Sequence, residues 1–232
     1  MTKEEKKALL DFLSPYITDN RKELFRKILK YRTRWFTVVL EDIYQPHNAS
    51  AVLRSADLTG IQDIHIIENR NKYDPNPEVA MGSYKWLNLI KYNDAENNTP
   101  AAYEALRKKG YKIIATTPHR NDVTLDELPI NQKTALVFGT ELTGLSDTAI
   151  NHADGYVRIP MYGFTESYNI SVSAALVMFT LTEKLRKSDI PWQLSDDERL
   201  DILLEWTKRS IKRSDVFEKQ FWALQKEKHG SE

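Results

Sequence analysis

The sequence predicts an α/β domain on a parallel sheet with helices on both faces, carrying a helical extension at each end. Three observations predict it. From Trp35 onward, short runs rich in β-branched and aromatic residues alternate with longer runs of helical period, the pattern of parallel strands joined by crossover helices. Gly60 and Gly110 stand just past two of the helical runs, where a left-handed C-cap suits glycine. The chain has 232 residues, 41% hydrophobic and 10% aromatic, enough to build a core and far from the composition of disordered chains.

The elements follow in order. Residues 1–34 read as helical: Ala8, Leu9, Phe12 and Leu13 recur at helical spacing, and Pro15 interrupts them. Asn20 with Glu23 three positions later has the form of a capping box, followed by the apolar stripe Leu24, Phe25, Ile28 and Leu29. Strands are predicted at 35–40, 63–67, 87–91, 112–116, 134–138 and 156–159, and helices at 49–59, 100–109, 146–151 and 171–187. After Pro191 come two more charged helices bearing Trp206, Phe217, Phe221 and Trp222, an aromatic stripe that reads as a packing face within the subunit or against a second one. The expected organisation is a basic helical extension (1–34), an α/β domain (35–188) and a C-terminal helical extension (189–232).

Several classes drop out. The apolar stretches at 174–179 and 64–67 fall well short of the roughly 18 residues of a membrane-spanning helix. The first residues mix both charges and lack the apolar run of a secretory signal, so the expectation is a cytoplasmic protein with no membrane contact. Without cysteine there are no disulfides, thiolate nucleophiles or Cys-based zinc sites. His47, His65, His119, His152 and His229 lie far apart, so no metal is expected. The 33 basic and 33 acidic side chains balance, but they are segregated. Arg21, Lys22, Arg26, Lys27, Lys30, Arg32 and Arg34 face only Glu23, and Lys208, Arg209, Lys212 and Arg213 have no acid among them. Each cluster is either a solvated helix face or a surface for a polyanion.

In a parallel α/β sheet, ligands bind outside the carboxyl ends of the strands, so the loops after them carry the information. After the fifth predicted strand, Gly139 and Gly144 keep the spacing of the P-loop glycines, but Leu145-Ser146 stands where Lys-Ser/Thr should follow. No G-x-G-x-x-G occurs either, which argues against an NTPase or an ordinary dinucleotide enzyme. A ligand gripped by the backbone of glycine-containing loops remains. After the first strand, Asn48 is placed to cap the following helix. Arg54, among Ala51, Val52, Leu53 and Ala56, reads as a half-buried charge that needs a phosphate or carboxylate partner, with Glu141 as one choice. After the sixth strand, Ser167 and Asn169 precede a helix of small residues whose free N–H groups suit an anion.

These segments resemble a known family. Asn48 to Arg54 with Gly60, then Gly139-x-Glu141-x-x-Gly144-Leu145, then Ile159-Pro160-Met161-x-Gly163 through Ser167-x-Asn169-Ile170-Ser171 look like the three ordered motifs of the SpoU (TrmH) family of RNA ribose 2′-O-methyltransferases, in the SPOUT class. Ala80-Met81-Gly82-Ser83 with Trp86 fits as well, and the resemblance spans roughly residues 35–187. Periodicity alone predicts an unknotted sheet, since knots are rare; the resemblance implies a C-terminal trefoil knot instead. It implies S-adenosylmethionine as cofactor, held at Thr116, Gly139, Ile159, Met161 and Tyr168, and a homodimer with the knot region at its interface. It also implies a catalytic set of Arg54, Asn48, Glu141, Ser167 and Asn169. Arg54 is then either the general base or, because a guanidinium gives up its proton only with great difficulty, a clamp for the phosphate beside the target ribose.

The short basic extensions resemble those of the family's tRNA enzymes that methylate guanosine 18 of the D-loop, whereas members acting on ribosomal RNA commonly carry a separate N-terminal domain. The expected partner is therefore tRNA, with Arg32, Arg34, Lys208, Arg209, Lys212 and Arg213 on its phosphates. Tyr168 and Ile170 stand where relatives often have Leu and Val, and the C-terminal extension matches in placement and aromatic content more than in letters. The alternatives are a 2′-O-methyltransferase for ribosomal RNA or another tRNA position, and a non-catalytic RNA-binding protein on the same scaffold. A small-molecule α/β enzyme leaves the basic ends unexplained.

Overall fold

Central strands buried on both faces explain why this sheet reads in sequence as continuous apolar runs rather than as alternation. The computed structural model describes residues 1–73, 82–118, 123–140 and 143–229. Among them β1 (Phe36–Glu41), β2 (Asp63–Ile67), β3 (Asn88–Tyr92), β4 (Lys112–Thr116), β5 (Val123–Thr124), β6 (Thr134–Phe138) and β7 (Gly155–Arg158) form one sheet. Every pairing is parallel, in the order β3-β2-β1-β6-β4-β7-β5. β1, β2 and β6 are buried along their whole length, while the edge strand β3 is only partly buried. β5, at the other edge, is absent from the sequence prediction because its 2 residues carry no period to read.

Alternate side chains leave the strands on opposite faces. Val38, Leu40, Leu136 and Phe138 pack with Val52 and Leu53 of α3 (Pro46–Thr59) and with Ala174 and Val177 of α6 (Ile170–Arg186). Val39, Ala135 and Val137 pack on the other side with Ala102 and Leu106 of α4 (Thr99–Lys108) and Ala149 of α5 (Asp147–His152). Each Val, Leu or Phe among them contributes about 1.5–3 kcal/mol when fully buried, so these two faces are the main source of stability. Gly60 closes α3 in the left-handed conformation at φ 83°, where a Cβ would be strained.

The chain divides into two units, Thr33–Trp192 and a second made of Met1–Arg32 with Gln193–Glu232. The terminal segments, read from sequence as separate extensions, thus form one unit. In it α1 (Lys3–Leu13), α2 (Asp19–Leu29), α7 (Asp196–Ser210) and α8 (Ser214–His229) bury Leu9, Leu13, Leu204 and Phe221, with Phe12, Phe217 and Trp222 packed against them. Phe25 meets Trp206 with ring centroids 5.3 Å apart, so the aromatic stripe is a packing face within the subunit. The expected cap of α2 by Asn20 and Glu23 does not form. Thr18, extended at ψ 153° after the turn Ser14–Tyr16, accepts the Arg21 N–H at 3.3 Å and starts the helix earlier, leaving Asn20 inside it.

Candidate active site

The loops leaving β4, β6 and β7 at their carboxyl ends enclose a cavity of about 470 Å³, within the roughly 300–1,000 Å³ of small-molecule sites. Phe138, Leu145, Ile150 and Val157 make its apolar wall, while Thr117, Thr140, Thr143 and Ser173 supply hydroxyls and Glu166 a carboxylate. Thr116, Gly139, Ile159, Met161 and Tyr168, the five expected cofactor positions, all line it, as does Ser167. Sequence reasoning did not single out Thr117, Thr140 and Thr143; the available signal was their position one or two residues beyond a strand or inside a recognised loop.

The Gly139 loop closes on itself. Thr140 N–H donates to the Gly144 carbonyl at 2.9 Å, and Gly144 N–H returns a bond to the Thr140 carbonyl at 3.1 Å. The Thr140 and Thr143 hydroxyls meet at 2.8 Å. A Cβ on Gly139 would overlap the backbone of Gly144 and Leu145, and Gly144 sits at φ 69°. Both glycines therefore serve a tight antiparallel closure, which accounts for their spacing without a phosphate to wrap.

The first and third loops meet at Asn48 and Asn169. Asn169 Nδ2 donates to Asn48 Oδ1 at 3.2 Å, and Asn48 Nδ2 donates to Gln45 Oε1 at 3.1 Å. Asn169 also caps α6, its Oδ1 accepting the Ser171 N–H at 2.8 Å and the Ser171 hydroxyl at 2.5 Å. Asn48 is not the cap of α3 that its sequence position suggested. Pro46, with its φ already helical and no N–H to leave unpaired, occupies the first position, so α3 starts earlier and Asn48 is buried in its first turn. Arg54 lies two turns further along α3 and is exposed, not half-buried. Val52, Leu53 and Ala56 turn to the sheet and leave Arg54 on the outer face, where no described residue pairs with it. Glu141, its candidate partner, lies outside the described residues, as do Ala80 and Met81.

Of the expected phosphate ligands, Arg32, Arg34 and Lys208 are used by the fold. Arg32 is 2% exposed and lies over the Trp206 ring at 5.2 Å, so it is withdrawn from any RNA surface. Arg34 Nε pairs with Asp63 Oδ2 at 3.0 Å. Lys208 bridges Glu218 at 2.8 Å and Glu205 at 3.6 Å. Burial alone would lower its pKa, but the two carboxylates more than offset this and hold it above the ordinary lysine value. Arg209, Lys212 and Arg213 are exposed. Away from the cavity, His65 is buried between β2 and β3 with Nδ1 2.8 Å from the Tyr92 hydroxyl, and desolvation, aided by the charge of Lys109, pushes its pKa down to about 3.

Among the described residues no group of three or more His, Asp or Glu side chains is placed to hold a metal ion, and no helix is long and apolar enough to cross a membrane. Residues 35–179 match the model of the SpoU rRNA Methylase family. The tRNA (guanosine(18)-2′-O)-methyltransferase of Borreliella burgdorferi is 45% identical over 206 residues, 89% of this chain and 93% of that one. The crystal structure of the A. aeolicus TrmH/SpoU tRNA modifying enzyme aligns with a TM-score of 0.75 at 26% identity, over 84% of this chain and 98% of that chain. The SpoU methyltransferase AviRb from Streptomyces viridochromogenes, solved in complex with AdoMet, shares the fold at a TM-score of 0.60 and 24% identity, over 68% and 60% of the two chains.

Proposed function

The chain belongs to the SpoU rRNA methylase family, and on that premise we propose that it methylates a ribose 2′-hydroxyl of tRNA, that of guanosine 18 in the D-loop, with S-adenosylmethionine as donor. One juxtaposition supports this above all. Tyr168 and Ile170 line the cavity, while Asn169 between them is bonded to Asn48 on α3, the helix that carries Arg54. The donor cavity and the helix that carries Arg54 are thereby joined through two side chains. Substrate choice follows the relative at 45% identity, which is named for guanosine 18 of tRNA.

The cavity's residues fit that cofactor: an apolar wall at Phe138, Leu145 and Val157 suits an adenine ring, and Glu166 with the surrounding hydroxyls suits an amino-acid end. When bound, S-adenosylmethionine supplies an electrophilic methyl group on sulfur. The protein's part is to align the ribose oxygen with it and to exclude competing geometries. Arg54 clamps the phosphate next to the target ribose with its planar guanidinium fork. Asn48, Glu141, Ser167 and Asn169 complete the proposed set around the ribose, and none of the described ones pairs with Arg54 itself. Replacing Arg54 by Lys keeps the charge and loses the fork, so turnover should fall by at least about tenfold with donor affinity unchanged. Near-normal turnover of Arg54→Lys would remove both the clamp and the general-base role.

Val172, Leu176 and Phe179 form an exposed apolar stripe on α6, which supports a homodimer through this helix. Arg209, Lys212 and Arg213 are assigned to tRNA phosphates, and we include the C-terminal trefoil knot and a cytoplasmic location in the proposal. The direct test is incubation with radiolabelled S-adenosylmethionine and unmodified whole tRNA, followed by digestion and mapping of the labelled ribose. Label on the 2′-oxygen of guanosine 18 is expected. Label elsewhere in tRNA, or only in ribosomal RNA, would replace the substrate; failure to bind S-adenosylmethionine would overturn the activity.

A further inference from the structure

We propose that Glu41 is a positioning residue that holds the glycine loop of the cavity in its ligand-ready form, an inference that rests on the cavity being the S-adenosylmethionine site. Glu41 ends β1 and is 2% exposed. Its Oε2 accepts the Ser146 backbone N–H at 2.9 Å, and its Oε1 accepts the Ser146 hydroxyl at 2.8 Å and the Thr99 hydroxyl at 2.5 Å. A buried carboxylate is costly unless its lone pairs are met. Here three donors meet them and none is a cation, so Glu41 is held by a built cage of hydroxyl and backbone groups rather than by an ion pair.

The cage is placed where it controls the loop. Leu40 pairs with Phe138 in the sheet, so Glu41 stands beside Gly139, where the loop leaves β6. The loop turns back through the Thr140 and Gly144 backbone bonds and ends at Ser146, which caps α5 by accepting the Ala149 N–H at 3.1 Å. Its entry is fixed by β6 and its exit by Glu41. Thr143, Gly144 and Leu145, lying between the two anchors, line the cavity. Thr99 is itself oriented, since its hydroxyl accepts from Asn69 Nδ2 at 3.0 Å. A loop ordered before its ligand arrives spares the ligand the ordering entropy, so Glu41 acts on affinity for the donor without touching it.

The test compares wild type with Glu41→Gln, which meets the same three donors with a single acceptor oxygen. In ligand-free protein, backbone amides at 143–146 should exchange about tenfold faster, and the Kd of S-adenosylhomocysteine by calorimetry should rise by about tenfold, the size of one lost charged hydrogen bond. Affinity for tRNA should stay within about twofold, and amides of β1, β2 and β6 should keep their protection. Thr99→Val removes one donor outside the loop and should shift both readouts in the same direction by less, which keeps the inference testable if Glu41→Gln does not fold. Unchanged exchange and unchanged Kd in both variants would overturn it. Faster exchange across the whole sheet, with tRNA and S-adenosylhomocysteine affinity lost together, would make Glu41 merely structural. If wild type does not bind S-adenosylhomocysteine, the cofactor assignment fails, while the exchange at 143–146 still decides whether Glu41 holds the loop.

Discussion

Gly139 has no room for a methyl group, because a Cβ there would meet the Gly144 and Leu145 backbone, neither of which can swing aside as a flexible side chain can. Gly139→Ala should therefore spring the loop and weaken S-adenosylhomocysteine by more than about tenfold, with the sheet intact by circular dichroism. Unchanged calorimetric affinity would mean the closure relaxes at little cost. His65 makes a different prediction. Its pKa is about 3 in the fold against 6.5 free, so at pH above about 6.5 both states are neutral and nothing is lost. As pH falls below that value the unfolded chain takes up the proton and the native one does not, which removes up to about 1.4 kcal/mol of stability per pH unit until about pH 3. Urea unfolding of wild type and His65→Gln at pH 7, 5 and 4 should show a shallower decline in the variant; parallel declines would refute the assignment. Both residues were visible in sequence as a loop glycine and a strand histidine. Neither the overlap nor the burial was, since each depends on atoms several residues or a strand away.

At the scale of elements, the sheet was legible because its central strands are apolar throughout and two of its helices, α3 and α4, are followed by glycine. Predicted and observed strands agree within a residue or so, from β2 at Asp63–Ile67 to β7 at Gly155–Arg158. Helix starts were less legible: α3 begins at Pro46 and α2 is capped by Thr18, each ahead of the asparagine that the sequence offers as a cap. α6 carries the element-scale prediction. Its Ala174, Val177 and Leu181 are buried against the sheet, whereas Val172, Leu176 and Phe179 leave a second apolar stripe in solvent. Substituting Leu176→Glu together with Phe179→Glu should convert a dimer to a monomer by light scattering while the monomer keeps its helical content. A wild-type protein that is already monomeric would remove the dimer from the proposal.

For the whole molecule, balanced charge conceals what matters, since a sum over 33 basic and 33 acidic side chains hides a local run of exposed cations such as Arg209, Lys212 and Arg213. Replacing Arg209, Lys212 and Arg213 with Ala should weaken tRNA binding, reduce the slope of log affinity against log salt by about two, and leave S-adenosylhomocysteine affinity unchanged. Loss of cofactor affinity instead would show that this segment supports the fold. By itself the sequence determined the fold class, the order of the strands' loops along the chain and the family to which those loops belong, because apolar period and motif spacing are local properties of a chain. Which charges reach solvent was decided only by tertiary structure: Arg32 disappears over Trp206, while Arg54 emerges from apolar neighbours. The union of Asn48 with Asn169, and of Glu41 with Thr99 and Ser146, was likewise decided there. Such pairings join residues 58 to 121 positions apart, and only the parallel sheet, by gathering the carboxyl ends of its strands along one edge, brings them within hydrogen-bond reach.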